Sequence, residues 1–380
     1  MSRVSVLGGG AGGHAVAAEC AWAGHEVTLV EAPEFAASIA GVRETRIVEV
    51  FGRGPDPVPA KLAGVSTDVG AAVGEADLVF IIVPCFGHEP MAQACAPHLH
   101  DGQSVIFFGE GSGALVMRKV LRDRGARADV LIGETNTLPY LARMRGPARV
   151  HVIWKKGGTL LAALPGRRTP ELLARLQPIW PYMSGVTNVL ETILINFNAI
   201  DHVPTVICNA GFLETRTTQC LLWGEGASPG VARAIEAVDS EILAIRAALG
   251  FADRTPYRDF LFKQGFVDAR QATTHEAIHK STLAASLFPC GPQALQSRYL
   301  TEDVPYAHVL IADIGDVSGV DTPVIDGLIA LASVMNADDY RKRGRTLATL
   351  GLGGLDRAAL LRLVNEGDQA APSVTRPATR

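Results

Sequence analysis

"VLGGGAGGHAVA", residues Val6–Ala17, decides the fold. It begins inside a short β-branched run, "RVSVLGG" (Arg3–Gly9), which reads as a buried strand. It then passes through Gly8-x-Gly10-x-x-Gly13 and enters "AVAAECAWAGH" (Ala15–His25), an alanine-rich helical stretch stopped by Gly24. Strand, glycine turn and helix in that order form a frame for a dinucleotide. Gly8 permits the tight turn, Gly10 lets the backbone approach a pyrophosphate, and Gly13 lets the helix pack closely on the strand. Ala11 and Gly12 lie at the helix start, where unpaired N–H groups and the positive dipole end face a phosphate. A glycine turn without a ligand is the plain alternative, and the flanking strand and helix count against it.

The next strand, "EVTLVE", ends at Glu31, 18 residues after Gly13. A carboxylate there accepts hydrogen bonds from the adenosine ribose hydroxyls and repels a 2′-phosphate. No Arg or Lys follows until Arg43, so NAD is expected over NADP. Further strands are "ADLVFIIVP" (Ala76–Pro84), "GQSVIFFG" (Gly102–Gly109) and "ADVLIGETN" (Ala128–Asn136). Strands alternating with helical segments imply a parallel sheet covered on both faces. Strand ends border the ligand crevice in such sheets. Pro84 is therefore expected at the cofactor, and His88 beside it either lines the cleft or is inert. "RVHVIWKKGGTLLAAL" (Arg149–Leu164) reads as a hairpin turning at Gly157–Gly158 and extending the sheet.

Near "PYMSGVTNVLE" (Pro181–Glu191) the pattern becomes helical. Its clearest element runs from Ser228, a capping residue, through Pro229 to a stop at Gly250. The expected fold is α/β: an N-terminal Rossmann-type, doubly wound parallel sheet followed by an all-helical domain. The boundaries are 1–188 for the dinucleotide domain, 189–366 for the helical substrate domain and 367–380 for a flexible tail. A chain of 380 residues is long enough for two cores.

Composition narrows the function. A net charge of −4, without basic clusters, argues against a nucleic-acid or lipid partner. The six cysteines lie singly, none in a CxxC, and read as buried thiols of a reducing compartment. No signal peptide or membrane-length apolar run is evident, so a cytoplasmic location is expected. His275 and His279 stand four apart without an HExxH pattern. They read as a solvated face, and no metal is expected.

A hydride transfer to or from an amine or carbonyl needs a proton donor or acceptor, and histidine suits neutral pH. His202 lies in "DHVPTVICNAGFLE" (Asp201–Glu214), an apolar helical run just past the domain boundary. By spacing alone, a core histidine bonded to a carbonyl is the more common case. "SRYLTEDVPYAHVL" (Ser297–Leu310) adds Arg298, a planar fork for a carboxylate, and Asp303, a group able to orient an imidazole. A surface cluster of salt bridges is its plain alternative.

With these segments in place, the sequence resembles the opine dehydrogenase family, which includes the octopine/nopaline dehydrogenases and bacterial carboxyethyl-norvaline dehydrogenase. The resemblance runs from Gly8 to about Gly354. It rests on the glycine loop, "GETNTLPYLAR" (Gly133–Arg143), "NAIDHVPTVICNAGFLE", "RYLTEDVP" and "DDYRKRGRTLATLGL" (Asp338–Leu352). It implies joining of an α-keto acid to an amino acid through an imine that NAD(P)H reduces. It also implies that His202 is the proton donor/acceptor, that Asp303 orients it and that Arg298 binds a substrate carboxylate. Glu134, Thr135 and Asn136 are expected to border the nicotinamide and the amine. The amine pocket is expected among Asn198, Phe212, Trp223 and Phe260, with Glu214 available to a basic side chain. A homodimer is expected. Two rivals stay open. One is a ketopantoate- or β-hydroxyacid-type reductase using Lys263 or Lys280; the other is an NAD-binding sensor without chemistry.

Overall fold

A computed structural model describes residues 1–109, 111–216, 221–285 and 294–368. In chain order its strands are β1 (Arg3–Leu7), β2 (Glu26–Val30), β3 (Ile47–Phe51), β4 (Val58–Lys61), β5 (Gly64–Ser66), β6 (Leu78–Ile81), β7 (Ser104–Phe107), β8 (Leu131–Thr135), β9 (Tyr140–Gly146), β10 (Arg149–Lys155), β11 (Leu160–Leu164) and β12 (Ser184–Gly185). Eight of them form one sheet in the order β12-β11-β8-β7-β6-β1-β2-β5. β1 pairs in parallel with β2 and β6, β6 with β7, and β7 with β8, while β11 runs antiparallel to β8. β6 and β7 are buried along their whole length, as expected of apolar strands covered on both faces. The chain leaves β1 for β2 on one side and returns to β6 on the other. The carboxyl ends of β1 and β6 therefore diverge and open a crevice.

The remaining strands form a second sheet, β4-β3-β10-β9. This corrects the expected hairpin over Arg149–Leu164. β10 turns back on β9, with Pro147 and Ala148 between them, and joins β3 in parallel. Only β11 extends the main sheet. The side chains explain the separation. "RVHVIWK" has one fully buried position, Val150, whereas four of the five residues of "LLAAL" are buried.

From Val189 to Glu366 the chain contains helices and no strand among the described residues. The helix at Pro229–Ala248 begins as its sequence requires: the Ser228 side chain accepts the Val231 N–H at 3.3 Å. It ends where Gly250 adopts φ +79°. Val231, Ile235, Val238, Ile242 and Ile245 are buried, and each such side chain contributes about 1.5–3 kcal/mol when removed from water.

Two apolar clusters are present. One cluster, including Val6, Val16, Phe80 and Trp180, lies in the sheet-bearing half. The other runs without a break from Leu7 and Phe107 through Val203 and Ile235 to Val364. The two halves are thus joined by apolar packing. Cys20, Cys85 and Cys95 are buried as expected, but Cys208, the last residue of its helix, is exposed. Cys220, Cys290 and residues 369–380 of the expected tail lie outside the described residues. No helix among the described residues is long and apolar enough to cross a membrane.

Candidate active site

The glycine loop follows β1 and caps the helix at Ala11–Trp22. Gly8 has φ +127°, and a Cβ there would stand 2.1 Å from the Ile82 carbonyl oxygen, so side chains are excluded. A Cβ on Gly13 would stand 1.8 Å from the Gly8 oxygen, which explains why the helix packs so near the strand. At Gly10 no atom lies within 4 Å of an added Cβ. Gly10 is also the helix N-cap and makes no side-chain capping bond. The loop thus presents open backbone and the helix's first N–H groups to the crevice. Glu31 is 8% exposed; its carboxylate accepts the Gly9 N–H at 2.7 Å and the Ala32 N–H at 2.8 Å. Two oxygens with about four lone-pair sites leave room for ribose hydroxyls. A cradle of bare backbone beside a fixed acid fits a dinucleotide.

Gly8, Gly10, Ala11, Gly12, Glu31 and Pro84 all line one cleft of about 620 Å³. Gly13 lies beneath it, buried against Gly8. The opposite wall comes from the helical half. The helix at Phe197–Cys208 supplies Asn198 and His202, and the segment around Arg298–Thr301 supplies Arg298, Tyr299, Glu302 and Asp303.

His202 Nδ1 lies 2.7 Å from Asp303 Oδ2. The imidazole also stacks on Tyr299, with ring centres 3.4 Å apart and planes 9° from parallel. Two independent contacts therefore fix the ring. Asp303 precedes a π-helical turn at Val304–His308, a widened turn of the kind often found at functional sites. Burial pushes the Asp303 carboxyl well above the usual carboxylate range; the adjacent Glu302 adds to this and Arg298 opposes it. Glu302 joins the two walls. One oxygen accepts the Cys85 N–H at 2.7 Å, and the other pairs with Arg298 Nε.

Other expected residues lie elsewhere. Glu134, Thr135 and Asn136 are almost wholly buried and do not line the cleft. Glu134 accepts the Ala114 N–H at 3.0 Å and the Thr192 hydroxyl at 2.8 Å, and burial raises its pKa to about 7. Thr135 donates to the Thr137 carbonyl, and Asn136 accepts the Leu160 N–H. These groups fasten the end of β8 to its neighbours, two strands away from the β1/β6 crevice. Thr137, the next residue, does reach the cleft. His88 is 1% exposed, its ring against Phe107, and burial drops its pKa to about 3.

Of the expected amine-pocket residues, only Asn198 lines the cleft. Phe212 is exposed beneath Arg216, Trp223 is core with its ring 6.1 Å from His202, and Phe260 packs on Phe197. Glu214 faces solvent. Lys263 and Lys280 are exposed and outside the cleft, bonded to Thr255 and Gln271. His279 bonds the Ala227 carbonyl, and no metal-ligand cluster exists among the described residues. Sequence reading missed Tyr299 and Lys156. Lys156 lines the cleft and donates to Thr137 Oγ1 at 2.6 Å. Its signal in the sequence is "WKKGG", a cation at the end of an alternating strand.

Residues 185–336 match the family model described as NAD/NADP octopine/nopaline dehydrogenase, alpha-helical domain, and residues 4–164 match the model of ketopantoate reductase PanE/ApbA. An opine dehydrogenase from Arthrobacter sp. (strain 1C) is 34% identical over 365 residues, covering 94% of this chain and 97% of that protein. A solved octopine dehydrogenase with NADH and L-arginine superposes with TM-score 0.78 at 20% identity, covering 95% of this chain and 98% of that one. A yersinopine dehydrogenase with NADP+ bound superposes with TM-score 0.69 at 15% identity, covering 97% and 98%. At such identities these two likenesses concern the fold. With a relative matched at 34% along nearly its full length, the chain belongs to the opine dehydrogenase family of nicotinamide-dependent oxidoreductases acting on CH–NH bonds.

Proposed function

We propose that this chain catalyses the reductive condensation of an α-keto acid, such as pyruvate, with the amino group of an amino acid, or the reverse oxidation. The observation that carries this reading is the His202–Asp303 contact on the cleft wall facing the glycine loop. Bound nicotinamide supplies or accepts the hydride.

His202 gives a proton to the imine as it is reduced and removes one in the oxidative direction. Its Nδ1 is committed to Asp303, so Nε2 carries the exchanged proton. Asp303 fixes the tautomer and stabilises the imidazolium. Burial raises the affinity of the Asp303 carboxyl for a proton. General acid–base assistance of this kind is worth about 10²–10⁴-fold. Arg298, on the same wall, holds a substrate carboxylate through its guanidinium fork. Glu31 favours NAD over NADP, because a buried carboxylate holding two backbone N–H groups leaves a 2′-phosphate no favourable position.

The test is product analysis. Purified protein is incubated with NADH, pyruvate and single amino acids, and products are analysed by mass spectrometry. A secondary amine dicarboxylate, with the keto acid and amino acid joined by loss of water and gain of two hydrogens, supports the reading. A hydroxy acid as sole product contradicts it.

A further inference from the structure

The segment Asp338–Leu352 carries part of the family resemblance but contributes no residue to the cleft. Four cations fall within its five residues Arg341–Arg345. Arg345 is 8% exposed. Its guanidinium donates to the Gly111 and Cys85 carbonyls, the latter at 3.1 Å, and lies over the Tyr306 ring. These acceptors are neutral; among the described residues the carboxylates of Glu134 and Glu89 act on Arg345 electrostatically, but neither forms a contact ion pair with it. A buried cation whose carboxylates stand out of contact is only partly compensated.

A second cavity, of about 220 Å³, is lined in part by Arg345. Lys119, Arg343, Tyr306 and Thr349 also line it, with Glu89 as its one acidic residue. Lys119 and Arg343 pair with Asp123 and Asp338. Such half-exposed pairs are weak and yield to a competing anion. We propose that this cavity binds a small multivalent oxyanion of the phosphate or dicarboxylate class, seated on Arg345 and enclosed by Lys119 and Arg343. The site touches the catalytic region twice. Arg345 holds the carbonyl of Cys85, whose N–H goes to Glu302, and the Arg345 backbone N–H donates to the Pro305 carbonyl at 2.7 Å, two residues beyond Asp303.

The experiment is isothermal titration of the full chain with inorganic phosphate and, separately, with malonate. Ionic strength is held constant with chloride, and saturating NADH fills the dinucleotide crevice. At least one anion should bind saturably at a single site. The Lys119→Ala/Arg343→Ala double variant should bind it at least about tenfold more weakly, since it loses two charged donors and one charge-assisted hydrogen bond is of that order. That variant should keep its NADH-dependent turnover and its melting temperature in chloride. Arg343→Gln alone serves if the double variant is unstable. Comparison of the two anions identifies the ligand class. Absence of saturable binding by either, or equal affinity in native and variant protein, overturns the proposal.

Discussion

Asp303 lies 101 residues beyond His202 in the chain, yet its Oδ2 stands 2.7 Å from the histidine's Nδ1. Such an arrangement holds the ring in one tautomer and stabilises its charged form. Asp303→Asn keeps the shape and removes the charge. Its kcat should fall by roughly 10²–10⁴-fold, while the Kd for NADH, read by fluorescence titration, stays unchanged. A variant with normal kcat would remove Asp303 from the mechanism.

The glycine loop separates binding from folding. At Gly10 an added Cβ meets no atom within 4 Å, so Gly10→Ala should preserve the melting temperature while NADH affinity falls, because the methyl occupies the cofactor's space. At Gly13 the Cβ would meet the Gly8 oxygen at 1.8 Å, so Gly13→Ala should lower the melting temperature as well. Comparable melting of the two variants would contradict this division.

Glu31 is expected to set cofactor choice. Glu31→Gln retains acceptor capacity but removes the charge. The ratio of kcat/KM for NADH to that for NADPH should fall by about tenfold or more, the equivalent of about 1.4 kcal/mol. An unchanged ratio would assign the preference elsewhere.

Glu134 connects stability to pH. Its folded pKa is raised from 4.5 to about 7 by burial. A raised acid favours the protonated folded form. Its contribution is fully present below pH 4.5 and lost as pH rises through 7. The full loss is on the order of 3 kcal/mol. Urea unfolding at pH 5.5 and 8 should show this decrease in the native protein and a smaller one in Glu134→Gln. Equal decreases would exclude Glu134 as the source.

Much of the fold was legible because its signals are local. The glycine spacing, the β-branched runs and the Ser228–Gly250 helix each depend on neighbouring residues. The second sheet was not legible: β3 and β10 are about 100 residues apart, and no local pattern announces their pairing. The expectation at Glu134–Asn136 failed for a related reason. A strand's carboxyl end marks a site only near the switch point, and β8 lies two strands from β6, its end secured by β11 and Thr192. The residues His202, Arg298 and Asp303 were visible in sequence, but their proximity followed only from the family resemblance. Tyr299, stacked on His202, gave no signal beyond being an aromatic residue next to Arg298.

The central claim is tested most directly by initial rates of NADH oxidation with keto acid alone, amino acid alone and both together. The account predicts turnover only with both, and its near-complete loss in His202→Ala with NADH binding retained. Equal turnover with keto acid alone, or an undiminished rate in His202→Ala, would contradict it.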